Sequence, residues 1–270
     1  MNNMMMTKKV TVFRIDFTVG HIMKSKEDIV AREMPLHVFV NGIHFVSILC
    51  SPTLLRELVV GHLLCEGLMS SIEEVENLDF DEENRCFVSL RKTDGENIVA
   101  LSKPFARLIV SACGGVNYRS LSDLLGSLEL KPLSKLKVGA TTVLECVREL
   151  NALADTFKKT GGVHVAALFK NDGELVAYAE DVGRHNAVDK AIGATSLSGQ
   201  GLSKCFLALS GRLTGDIVLK AARAGIPVVA SLAAAVDSGV EVASKTGVTL
   251  VGLARGNRMN VYAHLERIEL

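Results

Sequence analysis

The sequence predicts an α/β fold, in which a C-terminal half of alternating strands and helices follows a smaller, β-rich α+β part. Two observations carry this. Beyond residue 137, short and wholly apolar runs such as Cys205–Leu209 alternate with capped helical stripes, the pattern of a parallel sheet buried on both faces. Before it, residues 9–17 alternate apolar and polar, and Asn41-Gly42 interrupts a strand-like run over 37–50 as a hairpin turn does. Residues 104–140 form a transition, so the domains are expected at 1–136 and 137–270.

In chain order, Ser51-Pro52 reads as an N-cap followed by proline at the first helical position. Leu54, Leu55, Leu58, Val59 and Leu63 then recur with helical period until Gly67. Strands are expected over 85–90 and 98–101. In the second half, Thr142 and Glu145 suggest a capping box for a helix with the stripe Val143, Val147, Leu150, Ala154 and Phe157, closed by Gly161-Gly162. Asn171-Asp172-Gly173 joins strands over 163–169 and 174–179, and a helix follows over 187–194. The apolar strand 205–209 precedes a helix capped by Thr214, and strand 228–230 precedes one capped by Ser238 with Glu241. Strand 248–253 comes next.

Thirty basic residues balance thirty acidic ones in the 270-residue chain. Nucleic-acid binders draw affinity from a basic excess, so DNA and RNA are not expected partners. No apolar run approaches the ~18 residues of a membrane span. The opening MNNMMMTKK has no signal-peptide pattern, so a soluble cytosolic protein is expected. The cysteines, at 50, 65, 86, 113, 146 and 205, form no CxxC pair, which argues against a zinc-finger spacing or a redox pair. No metal site is expected.

Ligands of open α/β sheets collect at the carboxyl ends of strands. Three strands here run into polar residues: Ser210-Gly211-Arg212, Ser231, and Arg255-Gly256-Asn257-Arg258. Such hydroxyls, amides and guanidinium groups either hold a phosphate or form ordinary solvated loops. Glu180-Asp181-Val182-Gly183-Arg184-His185-Asn186 is the densest polar cluster. It is either a capped helix start or a site in which Asp189, one turn on, orients His185 as a general acid or base. His164, second in its strand, reads more as a satisfied core or edge histidine than as a ligand. Cys113, between Ser111-Ala112 and Gly114-Gly115, has the small neighbours of an exposed loop, where a thiolate can react; Arg107 and Arg119 are near enough in sequence to favour one.

Taken together, SPTLLRELVVGHLLCEGL, SACGG, TGGVHVAAL, EDVGRHNAVDKAIG, SGRLTGDIVLKAARAGIPVVAS and TLVGLARGNRMNVY resemble the formate dehydrogenase accessory sulfurtransferase family, FdhD. The matching segments run in family order over nearly the whole chain. The resemblance implies a C-terminal three-layer domain similar in fold to cytidine deaminases, often in a homodimer. It implies a sulfurtransferase that takes sulfur from a cysteine desulfurase as a persulfide on Cys113. The sulfur would pass to the molybdenum or tungsten of a bis-molybdopterin guanine dinucleotide cofactor destined for formate dehydrogenase. It also implies cofactor binding by Leu253 to Arg258, with Ser210, Gly211, Arg212 and His185 expected nearby. Where many members carry a second cysteine, in a C-G-x-C pattern, this chain has Val116. The alternative is therefore a cofactor-binding chaperone that transfers no sulfur. A zinc deaminase needs H-x-E and P-C-x-x-C segments, and this chain has neither.

Overall fold

The computed structural model describes residues 6–18, 22–91, 108–109, 115–116 and 133–270. Cys113, Arg107, Arg119 and the strand expected over 98–101 lie outside the described residues.

Strands β1 (Thr7–Asp16) and β2 (Ile22–Ala31) pair antiparallel as a ribbon. Next, β3 (Met34–Val40), β4 (Ile43–Cys50), β5 (Val75–Phe80) and β6 (Arg85–Leu90) form a four-stranded sheet ordered β4-β3-β6-β5. Asn41 and Gly42 both take positive φ, 48° and 81°, as a tight two-residue hairpin turn requires. Leu36, Val38, Val40, Cys86 and Val88 line the inner face and pack in one core with Leu58, Val59 and Leu63 of α1 (Leu55–Glu66). Gly67, at φ 79°, ends that helix. Its start corrects the sequence reading: the N-cap is Leu54, because Ser51 is bonded to the other half of the molecule. Two short pairs complete the minor sheets: β7 (Leu108–Ile109) with β8 (Gly115–Val116), and β9 (Val138–Gly139) with β16 (Ile268–Glu269).

The central sheet has six strands: β10 (His164–Lys170), β11 (Leu175–Asp181), β12 (Cys205–Leu209), β13 (Val228–Ser231), β14 (Thr249–Arg255) and β15 (Arg258–Ala263). Their order is β11-β10-β12-β13-β14-β15. The parallel core β12-β13-β14 aligns Ala208 with Ala230 and Ala230 with Val251, while β10 and β15 flank it antiparallel. Six α-helices occur among the described residues: α1 and five around this sheet, α2 (Ala140–Leu153), α3 (Asp155–Thr160), α4 (Arg184–Leu197), α5 (Gly215–Arg223) and α6 (Asp237–Thr246).

Alternation along the strands builds the layers. Val165, Ala167, Phe169, Phe206, Ala208, Val228 and Ala230 face α2. Ala166, Leu168, Leu207, Leu209 and Val229 face the opposite core, which α1, α4, α5 and α6 share with the four-stranded sheet. The result is helix, sheet, helix: the three layers that the resemblance implied.

Two caps and one helix end differ from expectation. Helix α2 starts at Ala140 with Gly139 as its cap, so Thr142 sits inside the first turn. The helix also breaks at Ala154, because the Glu180 carboxylate accepts from the Thr156 and Phe157 amides (2.9 Å each) and starts α3. Ser238 does not cap α6; its hydroxyl accepts from the Gly215 amide at 3.2 Å and ties α6 to α5. The closest crossing joins α1 to α4. A Cβ on Gly61 would stand 1.8 Å from the Asp189 carbonyl oxygen, and one on Gly193 would stand 1.9 Å from that of Glu57.

Candidate functional site

The carboxyl ends of β12, β13 and β14 are neighbours, so the three polar stretches meet along one edge of the sheet. Ser210 continues the ladder: its amide donates to the Val165 carbonyl (3.0 Å) and its hydroxyl accepts from the Val165 amide (3.1 Å). Gly211 lies against Arg184, so close that a Cβ there would come within 3.0 Å of the Arg184 Cβ. Arg212 is exposed. Ser231 is spent on structure, being fully buried, donating to the carbonyls of Leu209 and Gly211 and accepting from the Ala233 amide.

Leu253 turns β14 with φ 52°, its amide bonded to the Ala233 carbonyl. Ala254 is buried. Arg255 then pairs with Arg258 across the Gly256-Asn257 turn, an exposed hairpin lining a shallow cavity of about 450 Å³. Arg148 of α2, which the sequence reading missed, donates to the Gly256 carbonyl at 3.3 Å. Among the described residues, Arg148, Arg212, Arg255 and Arg258 have no carboxylate partner. Unneutralised guanidinium groups such as those of Arg148, Arg255 and Arg258 around this open turn suit a phosphate-bearing ligand.

The Glu180–Asn186 cluster is mostly a lock between the two halves of the chain. Asp181 and Lys190 form a fully buried ion pair at 2.5 Å. Asp181 also accepts from the Ser51 and Gly183 amides and from the Asn186 side chain, each at 2.9 Å. The Ser51 hydroxyl accepts from the Val182 amide, Lys190 donates to the Ser51 carbonyl, and Asn186 donates to the Leu49 carbonyl. The helix that follows has Gly183 as its N-cap with no side-chain cap, so Asp181 and Asn186 serve the junction between the halves rather than a capped start. Sequence spacing pointed neither to Ser51 nor to Lys190 as partners, since both lie distant in the chain or beyond the cluster.

His185 differs. Its expected partner Asp189 is bonded instead to His62 (2.9 Å) and to Lys220, whose ammonium meets both carboxylate oxygens at 2.9 Å. Burial opposes the Asp189 charge, but Lys220 and His62 outweigh it and hold the carboxyl down at about 2. The carboxylate that His185 does meet is Asp216 of α5, with Nε2 and Oδ2 2.5 Å apart. Burial would raise the Asp216 pKa; the hydrogen bond and charge of His185, with Thr214 and the Ile217 amide, pull it well below the ordinary carboxylate range. His164 stands 3.4 Å from the Ser210 hydroxyl and borders a cavity of about 430 Å³ with Asn151, Phe157, Ser210 and Leu232. Burial, then Arg184 and His185, lower its pKa. It sits at the start of an interior strand and borders this cavity.

A larger cavity, about 770 Å³, lies where α1, α4 and α5 end, lined by Glu66, Glu73, Glu74 and Arg223 among others. Its carboxylates disfavour an anionic ligand, so the arginine-bearing sheet edge is the better candidate site.

A sequence profile of the FdhD/NarQ family matches residues 31–269. The chain belongs to this family. A "Sulfur carrier protein FdhD" of Sulfolobus acidocaldarius is 37% identical over 91% of this chain and 93% of its own length. One from Bacillus subtilis is 31% identical over 97% and 99%. Among solved structures, a candidate formate dehydrogenase accessory protein from Desulfotalea psychrophila superposes with a TM-score of 0.76. That protein is 28% identical and matches over 97% of this chain and 99% of its own. FdhD/NarQ membership accords with the α/β architecture described above. No helix among the described residues is long and apolar enough to cross a membrane.

Proposed function

We propose that this FdhD/NarQ member is a sulfur carrier for formate dehydrogenase maturation, with Cys113 as the sulfur-bearing residue. The observation that carries the choice of residue concerns the other cysteines. Cys50, Cys65, Cys86, Cys146 and Cys205 are all buried and unbridged. Burial pushes the thiols of Cys50, Cys86 and Cys146 up to about 12, and raises those of Cys65 and Cys205. Sulfur exchange needs an accessible thiolate, and these five are poorly suited to supply one.

In the proposed reaction, the Cys113 thiolate attacks the outer sulfur of a cysteine desulfurase persulfide. The new S–S bond forms on Cys113 as the desulfurase cysteine leaves as a thiolate. Delivery repeats the same polarity: an acceptor supplies the electron pair to the outer sulfur, and Cys113 leaves as a thiolate. The acceptor in this reading is the metal centre of a bis-molybdopterin guanine dinucleotide cofactor, the substrate of the transfer. Arg148, Arg212, Arg255 and Arg258 have the chemistry to hold its diphosphate ends, with Ser210, Gly211 and His185 along the same edge. A cytosolic homodimer fits the reading.

Intact mass spectrometry after incubation with a cysteine desulfurase and cysteine tests it. A gain of one sulfur atom on the wild-type chain, lost in Cys113→Ala, is expected. An undiminished adduct in Cys113→Ala would remove Cys113 from the role. Val116 favours a second reading, a cofactor-binding chaperone without sulfur transfer, because a paired cysteine at that position is missing. No adduct on wild type, together with retained nucleotide binding, would select it.

A further inference from the structure

We infer that Asp216 is a positioning residue of the sheet-edge site, holding His185 in the tautomer protonated on Nε2 so that Nδ1 is left as a hydrogen-bond acceptor for the bound ligand. This rests on the reading of that edge as the nucleotide-binding site. Asp216 lies in the first turn of α5, just after the N-cap Thr214. The Thr214 hydroxyl does not cap a helix amide but bonds Asp216 Oδ1, and the Ile217 amide donates to the same oxygen at 3.0 Å. With Oδ1 so engaged, Oδ2 is the oxygen that faces His185 Nε2 at 2.5 Å. An ionised carboxylate only accepts, so Nε2 carries the proton.

The other ring nitrogen has no such account. His185 is 5% exposed, and Nδ1 is buried without a hydrogen-bond partner among the described residues. Buried polar atoms are nearly always paired, and an orphan in a native fold points to a ligand, a water or a chemical role. The position suits a role at the edge. Arg184, beside His185 in the chain, packs under Gly211, and His164, on the neighbouring strand, stands 3.4 Å from the Ser210 hydroxyl. Fixing an imidazole by a carboxylate on one nitrogen to define the other is how buried Asp–His pairs work in hydrolases, where changing Asp to Asn presents the wrong tautomer.

The same logic supplies the test. In Asp216→Asn the Ile217 amide still requires an oxygen at the Oδ1 position, so the side-chain NH2 faces Nε2 and drives the ring proton to Nδ1. Nitrogen-15 spectra of histidine-labelled full-length protein read this directly. The two ring-nitrogen signals of His185 are expected to exchange character, while the rest of the spectrum reports an intact fold. Guanosine diphosphate, used as the binding probe, is expected to bind about tenfold more weakly to Asp216→Asn, the loss of roughly one hydrogen bond. His185→Asn, whose carbonyl can stand near the Nδ1 position, should retain more affinity than His185→Gln. An unreversed nitrogen pattern overturns the inference. So does wild-type affinity in Asp216→Asn when Arg258→Ala binds more weakly, an outcome that leaves the nucleotide site itself intact. If neither variant alters binding, the nucleotide site is wrong and the acceptor role falls with it.

Discussion

Replacing Lys190 with Met separates a structural lock from a ligand site in the Glu180–Asn186 cluster. Lys190 and Asp181 are both 0% exposed and 2.5 Å apart. Met fills a similar volume but removes the cation, stranding a buried carboxylate and leaving the Ser51 carbonyl without its 2.9 Å donor. Breaking a buried pair from one side costs about 3–5 kcal/mol, since the remaining charge is uncompensated. Three neutral donors remain on Asp181, from Ser51, Gly183 and Asn186, which favours the lower end. At about 2–4 °C per kcal/mol for a chain of this size, the melting temperature should fall by roughly 10 °C. Urea unfolding followed by circular dichroism measures the loss, and guanosine diphosphate titration below the transition should show unchanged affinity. A stability loss under about 1 kcal/mol would refute the lock, and weakened binding in a fully stable variant would move the cluster into the ligand site.

Further outcomes follow from the same helical layer and from the hairpin. Gly61→Ala forces α1 away from the Asp189 carbonyl, because no side-chain movement relieves a 1.8 Å contact with backbone. A loss of about 3 kcal/mol or more in urea unfolding is expected. The depressed Asp189 carboxyl makes a stabilising contribution that is full above its unfolded value near 4 and is lost as pH falls through about 2. Stability should therefore drop on acidification below pH 4, and Asp189→Asn should flatten that limb of the stability–pH curve. Arg255→Ala and Arg258→Ala should each weaken guanosine diphosphate binding about tenfold or more, with a shallower salt dependence; unchanged affinity would take the hairpin out of the site.

Much of the fold was legible from local pattern. The Asn41-Gly42 hairpin, the α1 stripe ended by Gly67, and the runs over 205–209 and 228–230 appear as read, because periodicity and turn chemistry are properties of adjacent residues. Strand β2 escaped detection: Lys24, Lys26, Glu27 and Asp28 give it no apolar face, and only pairing with β1 makes it a strand. That Ser210, Gly211 and Arg212 lie on the same side of the sheet as the Arg255–Arg258 hairpin was foreseeable too, since adjacent strands of a parallel sheet end on the same side.

The sequence by itself determined the α/β class, the family and the residues that repay attention, Cys113 foremost among them. Tertiary structure decided who bonds to whom. Ser51 belongs to Asp181, Glu180 to the start of α3, Asp189 to His62 and Lys220, and His185 to Asp216. The physical reason is distance along the chain. A hydroxyl or carboxylate is claimed by the strongest donor that folding brings within about 3 Å, and that donor is commonly many residues away. Cys113 draws its case from both sources: a loop sequence that suits exposure, and a folded core that buries the five other thiols.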